Sequence, residues 1–403
     1  MGYSCLVMLL STIANANVRQ LLVLTMRGGV VVARKPMPTV VSLFAGCGGV
    51  DLGFKEAGFK ITWANEIMPD AAESYKRNLG HAPVVEDIWK IINNVPKADI
   101  VIGGPPCQAF SLVGKRLEND PRAKLVFAYQ TIIKRIEPNA FVMENVPGLM
   151  ASKIDGKRVI DYLASEYRKM GYDVSINHLL ASDYFVPQRR RRVVMVGVRN
   201  GLRPFAMLSS AAFGNVIGID ANSLPVSAKD AIGDLPKVRA KGDYGETLYD
   251  RPARAKYAKL MRKGSGQGVS FHAMPTMSKL DLEFVKHIPP GGNYMDIPDS
   301  ISTKRIMSFK KTGGRTTTYG RLSPDAPAYT ITTYFNRPNV GANYHYEEER
   351  LISVREALRL QSFPDAFIPF YTNQRSLHMQ VGNAVPPLLA RAIAESLKES
   401  LNE

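Results

Sequence analysis

The chain has 403 residues, of which 45% are hydrophobic, and this is enough for one large domain and a smaller second one. Its formal net charge of +16 indicates a polyanionic partner such as a nucleic acid. The cysteines stand at positions 5, 47 and 107, an odd number without a Cys-x-x-Cys pair, which argues against a disulfide framework and a zinc site and favours a reducing compartment.

The first 37 residues contain a short apolar run, "CLVMLLSTIANAN". No Lys or Arg precedes this run, whereas a secretory signal begins with a basic segment, and the run is too short to span a membrane. We therefore expect residues 1–37 to be a non-essential extension, with the true start at Met26 or Met37 as the hypothesis.

From Thr39 to about Asn200, short apolar runs alternate with helical stretches. This alternation predicts a doubly wound α/β domain, with a mostly parallel sheet and helices on both of its faces. Such sheets bind ligands at the carboxyl ends of their strands. The predicted strands are 39–44, 61–64, 100–102, 140–143 and 193–198, and the predicted helices are 69–78, 124–136 and 159–169.

After Gly201 the composition changes, and Gly, Pro, Tyr, Lys and Thr dominate to about Arg350 with few periodic segments. This predicts a smaller, loop-rich second domain over residues 203–349. A helical pattern returns in "SVREALRLQSF". The later stretch "PPLLARAIAESLKESL" is predicted to form an amphipathic helix.

The stretch "VVSLFAGCGGVDLGF" is an apolar strand that runs into a glycine-rich turn and then a helix. Gly46 and Gly48 let the backbone bend sharply and approach a ligand closely, although their spacing is not that of the dinucleotide motif GxGxxG. Glu66 ends the next strand, where an acid accepts ribose hydroxyls, and Asp87 ends a possible third strand, where it would accept from an adenine amino group. A turn or capping role explains each of these features alone. Together and in strand order, the glycine-rich turn, Glu66 and Asp87 favour a nucleoside cofactor.

Cys107 follows two prolines in the loop "GGPPCQAFSLVGKR", directly after an apolar strand. A structural cysteine normally lies in an apolar element, so this position indicates a reactive thiol. Glu144, in "FVMENVPG", ends another apolar strand and is predicted to lie at the same edge of the sheet. A thiol and a carboxyl group there suit nucleophilic attack and protonation of a ring nitrogen, whereas a strand-end salt bridge is the alternative for Glu144.

Four consecutive arginines, 189 to 192, precede the apolar run of "PQRRRRVVMVGVRN". Because alternate residues of a strand point the same way, Arg190 and Arg192 share one side while Arg189 and Arg191 share the other. One pair is then available to the site and the other to solvent or phosphate. A fully solvated charge run is an equally good interpretation of these residues alone.

Taken in order, these motifs resemble those of the bacterial restriction-modification DNA cytosine-5 methyltransferases. The resemblance runs from about Thr39 to the end of the chain, apart from a variable stretch near 203–315. It implies a Rossmann-like catalytic and cofactor-binding domain at 38–202, rejoined by residues 350–403, and a target-recognition domain at 203–349. The motifs that carry it are "SLFAGCGG", "NEI", "EDI", "GGPPCQAFS", "MENVPG", "PQRRRR", "SVREALRLQSFPD" and "QVGNAVPP".

The resemblance implies S-adenosylmethionine as methyl donor, S-adenosylhomocysteine as product, and no metal. Its glycine-rich turn would hold the methionine portion, Glu66 the ribose, and Asp87 with Ile88 the adenine. Ile67 stands where the family often has an aromatic residue, so weaker adenine stacking is expected. The cofactor residues implied in this way are Phe44, Gly46, Gly48, Glu66, Ile67, Asp87, Ile88, Pro106, Leu125, Asn383 and Ala384.

The resemblance also assigns the cytosine site. Cys107 would add to carbon 6 of a flipped-out cytosine, Glu144 would hydrogen-bond its ring nitrogen, and Arg190 and Arg192 would orient the base. The catalytic residues are thus Cys107, Glu144, Arg190 and Arg192. The further substrate-binding residues are Pro106, which would pack on the base, Gln108, Ser111 and Lys115 of a closing loop, and Thr330 of the threonine signature "YTIT".

The expected substrate is therefore a specific sequence of double-stranded DNA, methylated by a monomeric cytoplasmic enzyme that has no membrane segment and works beside a companion restriction endonuclease. Two alternatives remain at this point: a cytosine-5 methyltransferase that acts on transfer RNA, and an inactive DNA-binding scaffold. The candidate base-reading residues of the second domain are Arg315, Arg321, Asn336 and Arg337.

Overall fold

The computed structural model describes residues 37–106, 125–154, 156–314 and 316–401, preceded by the backbone of three short strands. Several residues with predicted roles lie outside the described residues. They are Cys107, Gln108, Ser111, Lys115 and Arg315.

The strands follow one another along the chain. They are β1 (Val7–Met8), β2 (Leu21–Met26), β3 (Gly29–Arg34), β4 (Thr39–Leu43), β5 (Lys60–Ala64), β6 (Ile100–Gly103), β7 (Ala140–Asn145), β8 (Lys153–Ile154), β9 (Lys157–Arg158), β10 (Tyr172–Leu180), β11 (Arg191–Arg199), β12 (Thr247–Leu248), β13 (Gly268–Val269), β14 (Gly320–Arg321) and β15 (Ala342–Tyr344).

The helices are interspersed with these strands. They are α1 (Gly49–Glu56), α2 (Pro69–Leu79), α3 (Ile88–Ile91), α4 (Leu125–Ile136), α5 (Gly148–Ala151), α6 (Val159–Lys169), α7 (Ser210–Ile217), α8 (Ala228–Ile232), α9 (Lys256–Met261), α10 (Lys279–His287), α11 (Lys304–Thr312), α12 (Val354–Leu360), α13 (Gln374–Asn383) and α14 (Pro387–Leu401).

The largest sheet in the described part of the chain has six strands in the order β10-β11-β7-β6-β4-β5. β5, β4, β6 and β7 pair in parallel, while β11 runs antiparallel to both β7 and β10. The parallel strands therefore end at one edge of the sheet, where ligands of such folds bind.

Both faces of this sheet are buried. Ile100 and Ile102 of β6 belong to a core cluster that also contains residues of α14, whereas Val101 between them belongs to a second cluster with residues of α4 and α6. Successive side chains of a strand point to opposite faces, so one apolar strand contributes to both clusters. Layers on both sides confirm the predicted doubly wound α/β fold.

The five strands and three helices predicted with bounds in residues 39–200 are present, with ends that differ by at most a few residues. The sequence analysis did not predict β10, which lies at the edge of the sheet and alternates apolar with polar residues instead of forming a continuous apolar run. Such alternation is normal for a strand with one face partly exposed.

The predicted strand before Asp87 is not formed. Only one bridge, between Asn65 and Val84, extends the pairing there. Asp87 instead caps α3, because its carboxylate accepts the Trp89 backbone N–H at 3.0 Å. With Pro83 before it and a helix directly after it, the segment is too short for a strand.

The region after Gly201 divides between two cores. Residues from Phe213 to Phe271 contribute to the same cluster as the main sheet. A separate small cluster contains Phe284, Val285, Ile306 and other residues as far as Leu351. The division of the chain at 203–349 stays a prediction.

The end of the described chain packs against its beginning. A Cβ atom on Gly53 of α1 would lie 2.5 Å from the backbone oxygen of Pro387 and 2.5 Å from the backbone nitrogen of Arg391, so the missing side chain permits close contact with α14. Of the helices in the described ranges, none is both long enough and apolar enough to cross a membrane.

Candidate active site

The glycine-rich turn between β4 and α1 lies at the carboxyl edge of the sheet. Phe44, Gly46 and Gly48 all have positive φ angles, of 56°, 57° and 93°, so the chain reverses sharply there. A Cβ on Gly48 would overlap the side chain of Leu79, whereas one on Gly46 would meet no described atom within 4 Å. Gly46 therefore presents an open backbone surface to which a ligand can come close.

Glu66 lies beside this turn and is only 7% exposed. Its Oε2 accepts the backbone N–H of Gly46, and its Oε1 accepts that of Met68, both at 2.8 Å. Burial raises the pKa of the Glu66 carboxyl, and the backbone hydrogen bonds oppose this rise. The carboxylate is thus fixed next to Gly46, and each oxygen retains a lone pair for a ligand hydroxyl.

Cys47, inside the same turn, is a buried thiol. Burial raises its pKa to about 12, so it is not ionised near neutral pH and is a poor nucleophile.

Asp51, which the sequence analysis did not single out, lies beneath the turn and is fully buried. It accepts hydrogen bonds of 2.9 Å from Ser42 Oγ and from the Tyr75 hydroxyl. Burial raises its pKa to about 6. No sequence signal distinguished Asp51 from an ordinary acid in the first turn of a helix.

The end of α13 and the residues directly after it come from the other end of the chain and pack against the turn. The Cys47 thiol lies 3.8 Å from the carbonyl oxygen of Gln380, and a Cβ on Gly49 would overlap the carbonyl oxygen of Val385. Between these two contacts lie Asn383, which is exposed, and Ala384, which is half-buried. The structure therefore brings the two predicted cofactor segments together.

The remaining predicted cofactor residues surround the same edge. Phe44 and Leu125 pack against the core cluster that contains buried Ile88. Ile67 is 61% exposed, and Asp87 is half-buried with its carboxylate on the N-terminus of α3. Asp87 is thus a capping residue in this structure, and its contact with an adenine stays a prediction.

The loop that leads to Cys107 starts against the end of β7. The Asn145 side-chain amide donates to the Pro105 carbonyl at 3.1 Å. A Cβ on Gly104 would lie 3.0 Å from Glu144 Oε2, so the glycine at this position leaves room beside that oxygen. Pro106, the next residue, is exposed.

Glu144 forms an ion pair with Arg192. Its Oε1 lies 2.6 Å from Arg192 Nε, and the two side chains are 13% and 9% exposed. Neither atom makes a hydrogen bond of good angular geometry, so the contact is chiefly electrostatic. The strand-end salt bridge is therefore present, and it leaves Oε2 of the same carboxylate facing Gly104.

The four arginines alternate as predicted. Arg190 and Arg192 are buried, whereas Arg189 and Arg191 are exposed. Arg190 donates to three backbone carbonyls, those of Ile331 at 3.0 Å, Gly382 at 3.0 Å and Ala384 at 2.9 Å. Its burial lowers its pKa. These contacts join the arginine segment to the "YTIT" segment and to the end of α13.

The "YTIT" segment has further contacts with the arginine segment. The Thr330 hydroxyl donates to the Arg189 carbonyl at 3.0 Å, and Gln188 Oε1 accepts the Ile331 backbone N–H at 3.0 Å. The sequence analysis missed Gln188, although a glutamine before an apolar strand at the arginine run was a visible signal. It is fully buried.

Arg321 does not have the role predicted for it. Its guanidinium donates to the carbonyls of His345 and Ile288, both at 2.9 Å, and of Glu347 at 3.0 Å. These internal bonds occupy its donors, which contradicts the prediction that Arg321 reads a base. Asn336 and Arg337 are both exposed.

The glycine-rich turn and its buried strand-end acid lie at the carboxyl edge of a doubly wound sheet, where such folds bind ligands, and the glutamate–arginine pair lies along the same edge. The model of the C-5 cytosine-specific DNA methylase family matches residues 38–399, and the chain belongs to this family.

Similar proteins agree with this membership. The Type II methyltransferase M.DdeI of Desulfomicrobium norvegicum is 34% identical over 375 residues, covering 89% of this chain and 88% of that protein. The Type II methyltransferase M1.HphI of Haemophilus parahaemolyticus is 33% identical over 377 residues, covering 91% and 88%. The crystal structure of a candidate DNA modification methyltransferase from an Escherichia coli prophage superimposes with a TM-score of 0.68 at 26% identity, covering 91% of this chain and 100% of that one. The enzyme is a DNA cytosine-5 methyltransferase of the restriction-modification type.

Proposed function

We propose that the enzyme transfers a methyl group from S-adenosylmethionine to carbon 5 of a cytosine in a specific double-stranded DNA sequence, after flipping that base out of the helix. The observation that carries the proposal is the placement of Glu144 and Arg192 beside Gly104, on the sheet edge that also holds Glu66 and the glycine-rich turn.

The residues of the turn fit S-adenosylmethionine. The open surface at Gly46 accommodates the methionine portion, and the fixed carboxylate of Glu66 accepts the ribose hydroxyls. Asp87 and Ile88 are proposed to hold the adenine, and Leu125 and Asn383 to close the pocket around it. When bound, the cofactor supplies an electrophilic methyl group.

Glu144 is the residue that engages the flipped base. Its Oε2 faces Gly104, which has no side chain of its own to fill the space beside that oxygen, and its Oε1 is held by Arg192. A carboxyl group fixed in this way hydrogen-bonds the ring nitrogen of cytosine, which makes carbon 6 more electrophilic. Arg192 fixes the orientation of the carboxyl group, and Arg190 fixes the position of the neighbouring "YTIT" segment.

Cys107 supplies the nucleophile in this proposal. It follows Gly104 by three residues, so the loop connects it directly to the Glu144 site. Its thiolate adds to carbon 6, and carbon 5 then accepts the methyl group. Loss of the proton from carbon 5 expels the thiolate and restores the aromatic ring. Gln108, Ser111 and Lys115 belong to the loop proposed to close over the base.

Double-stranded DNA is the proposed partner, and the net charge of +16 favours its approach. Exposed Arg189 and Arg191 are suited to phosphate contacts. In this proposal the enzyme acts as a monomer on the DNA of a bacterial cytoplasm, and protects it from a companion endonuclease that cuts the same site.

The test is transfer of a radiolabelled methyl group to duplex DNA and, separately, to transfer RNA. We expect label in duplex DNA only, with a rate that falls about 10²–10⁴-fold in Glu144→Gln, because the variant removes an acid–base group. Glu73→Gln, a charge change on α2, is the matched control and keeps the wild-type rate. Label in transfer RNA alone would overturn the DNA substrate, and no transfer to either would leave the inactive scaffold.

A further inference from the structure

Residues 331–338 connect the arginine segment to the small core cluster of the second region. Its start is bonded to the arginine segment, because Gln188 accepts the Ile331 N–H and Arg190 donates to the Ile331 carbonyl. Its end is bonded to the region of the small core cluster, because the Pro338 carbonyl accepts the Tyr319 backbone N–H at 2.8 Å. Both ends of the segment are therefore fixed.

Between these ends, the chain forms a rigid turn. Phe335 points inward, is 1% exposed and packs edge-on against His378 with ring centroids 4.9 Å apart. The backbone N–H of Arg337 donates to the Tyr334 carbonyl at 2.9 Å, and the Arg337 carbonyl accepts from the Asn343 side chain at 2.9 Å. With Phe335 buried, Tyr334 and Arg337 on the two sides of it are exposed.

The Arg337 guanidinium lies over the ring of Tyr334. Its guanidinium carbon lies 4.9 Å from the centre of the tyrosine ring, and Tyr334 is 44% exposed. Within the described part of the chain, no group accepts a hydrogen bond from the Arg337 guanidinium or forms an ion pair with it. This differs from Arg321, whose donors are all directed inward.

A guanidinium held over an aromatic ring is restricted in its orientation and keeps a free fork of N–H donors. The guanine edge in the DNA major groove presents two acceptors, O6 and N7, that match such a fork, whereas a phosphate carries no sequence information. A rigid turn beside the methylation site would hold this fork next to the base pairs around the flipped cytosine.

We propose that Arg337, held in plane by Tyr334, reads a guanine in the DNA target and so helps to determine which sequence is methylated. This assignment rests on the proposed function and adds a specificity residue to it.

The test has two stages. Bisulfite sequencing of DNA from cells that express the wild-type enzyme first gives the methylated sequence. Binding of duplexes that carry this sequence is then measured by fluorescence anisotropy, with each guanine in turn replaced by 7-deazaguanine, which lacks the N7 acceptor. We expect one guanine at which this replacement weakens wild-type binding by about 5- to 100-fold.

Arg337→Ala should bind the normal and the 7-deaza duplex equally at that guanine, while it keeps its response at every other position. Arg337→Lys should also lose most of the discrimination, because an ammonium group cannot form the two-bond fork. Arg305→Ala is the matched control, since Arg305 also stacks on a ring, that of Phe309 at 5.2 Å, but lies on α11.

If Arg337→Ala retained the full response to 7-deazaguanine, or weakened binding of all duplexes by one factor, the assignment would be overturned in favour of a phosphate contact. Absence of methylation by the wild-type enzyme would instead overturn the proposed function, and this assignment with it.

Discussion

Gly382→Ala tests the contact between the end of α13 and the "YTIT" segment. A Cβ at this position would lie 2.6 Å from the carbonyl oxygen of Thr332 and closer still to the backbone nitrogen of Thr333. Ordinary contacts of a Cβ atom begin near 3.4 Å. The segment must therefore move away by about 1 Å, which stretches the bond from Arg190 to the Ile331 carbonyl.

The magnitude follows from opposing effects. Overpacking against backbone costs about 1–3 kcal/mol. Weakening a hydrogen bond from a buried charged donor adds about 1–2 kcal/mol. Alanine favours a helix over glycine by up to about 1 kcal/mol, which offsets part of this loss. We expect the free energy of unfolding to fall by about 2–3 kcal/mol.

Guanidinium denaturation followed by circular dichroism measures the change, with hydrogen exchange at the Ile331 amide as a local probe. The control is Gly148→Ala, because a Cβ there would meet its nearest neighbour, Val146, at 3.9 Å. The reasoning would be refuted if both variants had the same denaturation midpoint and the same Ile331 exchange rate as the wild type.

Two further changes probe the cofactor turn. Glu66→Ala should weaken S-adenosylmethionine binding by about 1–3 kcal/mol in calorimetry, since a charge-assisted hydrogen bond is lost, and an unchanged dissociation constant would reject the ribose assignment. Asp51→Asn addresses pH dependence. The pKa of Asp51 is raised in the folded state from 3.8 to about 6, so the folded protein binds this proton more tightly than the unfolded chain. The wild type should therefore lose about 3 kcal/mol relative to Asp51→Asn as the pH rises from about 3 to 7, and parallel stability–pH profiles would contradict this.

The sequence predicts β4, β6, β7 and β11 well because these strands contain continuous apolar runs, whereas the alternating strand β10 was not predicted. The alternation of Arg190 and Arg192 with their exposed neighbours follows from strand geometry, and the structure agrees. A strand-end salt bridge was the stated alternative for Glu144 and is present, but its partner, Arg192, was not predicted.

Long-range polar contacts were not accessible from the sequence. Arg190 bonds carbonyls 141 to 194 residues further along the chain, and no local pattern indicates such partners. The helical period of α12 is clear from the sequence. Arg359 of this helix is nevertheless fully buried between Asp234 and Asp365, although a charged residue in an amphipathic pattern is normally exposed. Arg321 was misassigned for the same reason, because its carbonyl partners come from distant segments.

The central claim is covalent catalysis by Cys107 on a cytosine of duplex DNA, and trapping on 5-fluorocytosine tests it most directly. Fluorine at carbon 5 cannot leave as a cation, so the thiolate cannot be expelled after methyl transfer. We predict an adduct between enzyme and duplex that resists denaturation, forms only with S-adenosylmethionine, and maps by peptide mass to Cys107.

Cys107→Ser should form no adduct, because a hydroxyl is a far weaker nucleophile than a thiolate. Cys47→Ser should still form it, since burial already keeps the Cys47 thiol protonated with a pKa of about 12. An adduct that persisted in Cys107→Ser, or that mapped to Cys47, would contradict the account.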